Sequence, residues 1–296
     1  MKFFSLNQNS PTVDFKQALL AGLAPDGGLY FPESFPCFSP EEISDLKNNS
    51  LAEVGFKVLC KWLESEMEFS EIKKVAYEAL NFPIPLRKVG EFFILELFYG
   101  PTMAFKDIAA RSLALLMSRI LQKENKKAVI LVATSGDTGG AVAHGFGNVP
   151  NIKVVVLYPR GKVSKLMDIG NPSNFIRILK VFDNNHAAFK KLIRVVKVTD
   201  SETIAAIKKV YTEHNYLLDP HTAVAWVATE NEKNDFTKII TGTASPVKFS
   251  DSIKKHTGIE VDDSQAIAEL AKNSRRKIEI KNDYAELKST LSSLPI

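Results

Sequence analysis

Three short, nearly continuous apolar runs separated by long helical stretches constrain this chain more than any other feature. FFILELF (92–98), AVILVAT (128–134) and IKVVVLYP (152–159) each have the length of a strand and few polar positions. That pattern suits strands covered on both faces. Between the first two, MAFKDIAARSLALLMSRILQK (103–123) spaces its apolar residues as a helix does, and SGDTGGAVAHGF turns into a second helix before the third run. Strand, helix, strand, helix, strand with short connections predicts parallel strands joined by right-handed crossovers, an α/β fold.

Composition narrows the class further. The 296 residues are 45% hydrophobic and 24% charged, with 15 Gly and 14 Pro. Such usage excludes a collagen, a coiled coil and a largely disordered chain, and leaves ample apolar material for a core. The net charge of +4 is spread along the sequence; a nucleic-acid partner would call for a concentrated basic stripe. Cys37 and Cys60 stand far apart with no CxxC context, so a disulfide scaffold and a cysteine zinc site are excluded and a reducing compartment is expected. The opening MKFFSLNQNSPTVDF is broken by Asn and Gln, and no apolar run approaches the roughly 18–20 residues that cross a bilayer. No membrane partner and a cytoplasmic location are the resulting expectations.

The flanks read differently. Residues 24–36 (APDGGLYFPESFP) are dense in turn formers, and Ser39-Pro40-Glu41-Glu42 carries the signals of a helix start. Helices are predicted over 51–62 and 70–80, the second capped by Ser70, and NFPIPLRKV (81–89) reads as a proline-punctuated boundary. Beyond residue 159 the sequence is polar and turn-rich, with helices predicted over 175–181, 189–195, 201–211 (capped by Asp200 or Ser201) and 221–230. A strand over 238–241 runs into a Gly–Thr turn, and the tail from 251 alternates short helices with charged turns. The expected organisation is a helical N-terminal region (1–83), an α/β region (84–250) and a helical tail (251–296).

Open α/β sheets bind ligands beyond the carboxyl ends of their strands, and three loops there carry unusual chemistry. Lys106 lies in the opening turn of a helix, where the dipole disfavours a cation, between Phe105 and Ile108. If the side chain is buried, both surroundings would favour the neutral amine, the form that attacks a carbonyl in a Schiff-base reaction; a solvated surface lysine is the plain alternative. Ser135-Gly136-Asp137-Thr138-Gly139-Gly140 leads small residues into a helix N-terminus, suiting a carboxylate or a phosphate equally well; a tight turn would use the same glycines. It is neither a GK[ST]-ending loop nor a GxGxxG fingerprint. Arg160, Lys162 and Lys165 cluster with Ser164 after the third run, a set that suits a phosphate dianion. Thr243, in GTASP, can offer its hydroxyl, while His144 and His221 read as helix-surface or core residues rather than bases. No spacing argues for a metal.

The strings ELFYGPTMAFKDIAAR, ATSGDTGGAVAHGF and VVLYPRGKVSKL, in that order, resemble the threonine synthase family of the bacterial and fungal type. LAPDGGLYFPESFP, IGNPSNF, DPHTAVAW and GTASPVKF extend the likeness from near residue 1 to about 250. The resemblance implies a tryptophan-synthase-β-like parallel sheet with flanking helices (fold type II), pyridoxal 5'-phosphate as cofactor, and a lyase reaction of threonine biosynthesis. In that reaction O-phospho-L-homoserine and water give L-threonine and phosphate. Lys106 would hold the cofactor covalently and then shuttle protons. Ser135, Gly136 and Thr138 would hold the substrate carboxylate, and Asp137 would lie near the cofactor's ring hydroxyl. Thr243 would hydrogen-bond the pyridine nitrogen. Arg160, Lys162, Lys165 and Lys248 would seat the substrate phosphate, an assignment that rests on charge.

One departure from the family pattern stands out. VSKL (163–166) runs almost directly into MDIGNPSNF, where the family carries a large block with further strands and the SGNFG-type loop that grips the cofactor phosphate. The fold is therefore expected to be shortened near 166–168, with apolar strand faces left uncovered. Three other functions compete with the active enzyme: an impaired homologue that binds phospho-amino acids without turnover, another pyridoxal-phosphate lyase such as threonine dehydratase, and a nucleotide-binding α/β module. GPTMAFKD and YPRGKVSK argue against the second, and the missing nucleotide motifs argue against the third.

Overall fold

The computed structural model describes residues 1–134, 136–158, 172–271 and 277–294. The predicted shortening at 166–168 lies outside them. The N-terminal region, expected to be turns and helices, also holds a small antiparallel sheet: β1 (Lys2–Ser5) pairs with β2 (Val13–Asp14) on one side and β3 (Tyr30–Pro32) on the other. Strands of two to four residues are too short to register as a period in sequence. Asp14 then caps α1 (Phe15–Ala21), and Ser39 caps α2 (Pro40–Asp45) with Pro40 at its first position, as the sequence indicates. Next come α3 (Leu51–Leu63) and α4 (Phe69–Ala79). The N-cap of α4 is Glu68, which makes no side-chain cap hydrogen bond, rather than the expected Ser70.

The proline-punctuated boundary proves to contain an edge strand. β4 (Leu86–Val89) turns at Gly90, whose φ of +57° needs a residue without a Cβ, and pairs antiparallel with β5 (Phe92–Glu96). The chain continues through α5 (Lys106–Lys123), β6 (Ala128–Ala133), α6 (Asp137–Gly147) and β7 (Ile152–Leu157). After 171 it forms α7 (Phe175–Val181), α8 (His186–Leu192), α9 (Asp200–His214), α10 (Pro220–Glu230), β8 (Ile239–Gly242), α11 (Ser250–Thr257), α12 (Ser264–Ala271) and α13 (Tyr284–Ser293). The cap of α9 is Thr199, whose hydroxyl accepts the Glu202 N–H while the Glu202 carboxylate accepts the Thr199 N–H. This reciprocal arrangement outcompetes the two neighbouring candidates, Asp200 and Ser201.

Strands β6 and β7 pair in parallel, Ala128 opposite Ile152 through Ala133 opposite Leu157, as a crossover requires. The first strand of the predicted series makes a different choice. β5 pairs in parallel with β8, from Phe93 opposite Ile239 to Glu96 opposite Gly242, so among the described residues the sheet splits into β4-β5-β8 and β6-β7. One core fills the space between the first sheet, α9 and α10, with Ile94, Ile240, Val210 and Trp226 fully or almost fully buried. A second lies between α5, α6 and β6-β7, around Met117, Leu121, Phe146 and Ile152. Here Gly145 lets α6 approach α5, since a Cβ at that position would lie 3.0 Å from the Ala110 backbone.

AVILVAT is not covered on both faces as its composition suggests. α6 packs on one face, and Leu131 on β6 is half exposed. No helix among the described residues is long and apolar enough to cross a membrane.

Candidate active site

The pairing of β5 with β8 brings two loops together at the carboxyl ends of both strands. The ladder continues past the strands: Leu97 N–H donates to the Gly242 carbonyl at 2.9 Å, and Phe105 N–H donates to the Thr243 carbonyl at 2.9 Å. Ser245 N–H then reaches the Met103 carbonyl at 3.0 Å, and Ala104 and Ala244 form an antiparallel bridge. The segment carrying Lys106 and the turn carrying Thr243 are thereby fixed to each other by backbone alone, although 137 positions separate them in the sequence.

Lys106 is the first residue of α5 and is partly buried. Its Nζ lies 4.7 Å from the centroid of the Phe105 ring and has no hydrogen-bond acceptor among the described residues. The next residue, Asp107, is completely buried and accepts two hydrogen bonds from Thr102, from the backbone N–H at 2.8 Å and from the hydroxyl at 2.7 Å. Gly100 sits so tightly over this carboxylate that a Cβ there would lie 2.5 Å from Asp107 Oδ2. The turn before Lys106 is thus locked by its neighbour. Asp107→Ala should cost about 1–3 kcal/mol, the penalty for leaving the Thr102 donors unpaired in a buried place; urea unfolding read by circular dichroism measures it.

Asp137 opens α6 at the end of the second loop, with Gly136 as N-cap. Its Oδ1 pairs with Lys248 Nζ at 2.8 Å, and the same ammonium donates to the Thr102 carbonyl at 2.7 Å. Lys248 therefore ties the start of α6 to the Lys106 loop and spends its charge on Asp137. Thr138 is exposed on the first turn of α6, and Gly139 lies where a Cβ would meet the Thr134 carbonyl at 2.7 Å. Ser135, Arg160, Lys162 and Lys165 lie outside the described residues. The structure brings Lys106, Gly136, Asp137, Thr138, Thr243 and Lys248 to one rim.

The sequence reading set two histidines aside. His144 is partly buried on α6, and burial, with the Arg111 charge adding to it, holds its imidazole below the usual histidine range. His221 is different. Asp219 is buried and accepts from the N–H groups of His221 at 3.0 Å and Thr222 at 3.4 Å, from the Thr222 hydroxyl, and from His221 Nδ1 at 3.2 Å. The His221 ring meets Phe249 edge to face at 5.4 Å and lies within electrostatic reach of both Asp137 and Lys106. The bond to Asp219 raises its pKa above the ordinary histidine range, with burial opposing. The signal was present in DPHT, where an Asp before Pro marks a helix cap and the His two places on falls beside it. Also unforeseen is Glu96, buried at the end of β5, which accepts from Arg87 at 2.9 Å, Tyr99 at 3.0 Å and Tyr216 at 2.7 Å.

Known proteins resemble this chain in sequence and in fold. A family model for the threonine synthase N terminus matches residues 2–80, and one for the threonine synthase C-terminal region matches 222–291; together they take in about half of the chain. The threonine synthase of Escherichia coli K12 is 40% identical over 169 residues, 57% of this chain and 39% of its own length. That of Schizosaccharomyces pombe is 30% identical over 231 residues, 71% of this chain and 45% of its own. The chain thus spans less than half the length of these curated relatives. In solved structures the fold matches a pyridoxal-phosphate-bound threonine synthase from Brucella melitensis, with a TM-score of 0.84 at 23% identity over 98% of each chain. The Escherichia coli threonine synthase matches with the same score and identity over 99% of each. In fold and in the sequence of both its ends, this chain belongs to the threonine synthase family.

Proposed function

We propose that this chain binds pyridoxal 5'-phosphate and acts as a threonine synthase, a cytoplasmic lyase converting O-phospho-L-homoserine and water to L-threonine and phosphate. The observation that carries the reading is the placement of Lys106. Its amine lacks an acceptor among the described residues, leans on an aromatic ring, and rises from a segment whose backbone is bonded to the Thr243 turn at the end of a parallel strand pair. This donor set fits the reactive end of such a cofactor: an amine for its carbonyl carbon, Thr243 for its ring nitrogen and Asp137 beside its ring hydroxyl.

When bound, the cofactor supplies an electron sink for the substrate carbons. The chain's residues do the rest. Gly136, Thr138 and Ser135 hold the substrate carboxylate at the positive end of α6, and Arg160, Lys162 and Lys165 supply charge for its phosphate. Lys248 fixes Asp137 in place. Lys106 Nζ carries protons between the substrate carbons, so the phosphate leaves from Cγ and water adds at Cβ.

The test has two arms on the full chain. Cofactor titration should produce the visible absorbance of a lysine-bound pyridoxal phosphate, and O-phospho-L-homoserine should then yield phosphate and threonine in equal amounts. Absorbance without phosphate release would leave a phospho-amino-acid binder, the reading that the missing block favours. No absorbance would end the cofactor assignment.

A further inference from the structure

We propose that His221, set in place by Asp219, binds the phosphate of the substrate at this site. The inference deepens the reading above and rests on it. The charges acting on the imidazole come from three elements: Asp219 at the cap of its own helix α10, Asp137 on α6 and Lys106 on α5.

Two of these are already spent. Lys248 neutralises Asp137 at 2.8 Å, and the Asp219 carboxylate is saturated by four donors, one of them His221 Nδ1. The bond at Nδ1 leaves Nε2–H as the donor on the opposite side of the ring, with no partner among the described residues. The side chain is 44% exposed while its anchor Asp219 is 1% exposed, so the ring is held from below and open to an incoming ligand. Lys106, whose amine has no acceptor among the described residues, and the Nε2–H of His221, left free by the Nδ1 bond to Asp219, are then the open donors on the rim. A phosphate, with several terminal oxygens, can accept from both donors at once. The raised pKa of the imidazole supports this, since it keeps the ring cationic to higher pH, where phosphate is a dianion.

The test uses the full chain without cofactor, with inorganic phosphate as the probe and acetate at matched ionic strength as the control. Histidine titrations are followed by NMR and His221 is assigned from the signal lost in His221→Gln. The His221 titration should lie above the ordinary range, move further up on adding phosphate, and stay put with acetate. His221→Gln should weaken phosphate binding about tenfold or more, as expected for loss of a charged hydrogen bond, and wild-type binding should weaken as pH rises through the His221 pKa. Asp219→Asn should return the titration toward the ordinary range; because Asp219 also caps α10, His221→Gln carries the test if that variant fails to fold. A titration that ignores phosphate, an equal response to acetate, or unchanged binding by His221→Gln would overturn the proposal. Absence of cofactor absorbance in the separate titration would instead remove the catalytic reading and leave the anion result standing by itself.

Discussion

Lys106→Ala is expected to abolish the visible absorbance of bound cofactor and to lower phosphate release from O-phospho-L-homoserine by about 10³-fold or more. The size of the effect follows from the number of tasks at one atom. Nζ is both the attachment point and the proton carrier, and no other described amine on the rim is free to take over, because Lys248 is engaged with Asp137 and the Thr102 carbonyl. Folding should survive. The side chain is only partly buried and makes a ring contact rather than a hydrogen bond, while the turn that presents it is held by Asp107 and by the ladder to Thr243. Absorption spectra and single-turnover phosphate release on the refolded variant check both halves. Retained absorbance in Lys106→Ala would place the attachment elsewhere and dissolve the site described above.

The parts legible in the sequence are those fixed by local physics. Apolar runs of strand length, Ser39-Pro40 at a helix start and the parallel pairing of β6 with β7 all follow from residues close together in the chain. Lys106 was legible because a lysine at a helix N-terminus beside Phe105 contradicts the usual preference of that position. What remained hidden depended on partners distant in sequence. β5 has no local reason to choose β8 over β6, and that choice alone sets Thr243 beside the Lys106 turn. His221 reads in sequence as a helix-surface or core residue because its character comes from Asp219 and from charges on α5 and α6 that only the fold assembles. Glu96 is a charge inside an apolar run; Tyr216, 120 residues away, supplies one of its three donors.

Trp226→Ala is expected to cost about 3–5 kcal/mol of stability, the range for deleting a fully buried large aromatic side chain. Trp226 is 3% exposed on α10, with the Phe92 ring of β5 4.8 Å away at a 68° tilt and His214 of α9 6.1 Å away on the α9 side. It therefore joins the helix that begins with Asp219 and His221 to the sheet whose far ends carry the Lys106 and Thr243 turns. Against a total stability of roughly 5–15 kcal/mol for a folded domain, such a loss lowers the urea midpoint by about 1–2 M and loosens both halves of the site together. Trp226→Phe separates packing from polarity. The indole Nε1 is buried without a hydrogen-bond partner among the described residues, so the smaller ring gives up no bond and sheds an unpaired donor. Its cost should be clearly smaller than that of the alanine variant, because one aromatic ring stays against Phe92 and only a smaller cavity is left. Equal losses for the two variants would mean that Nε1 holds a partner and that α10 is fastened to the sheet by a hydrogen bond instead of by the ring against Phe92.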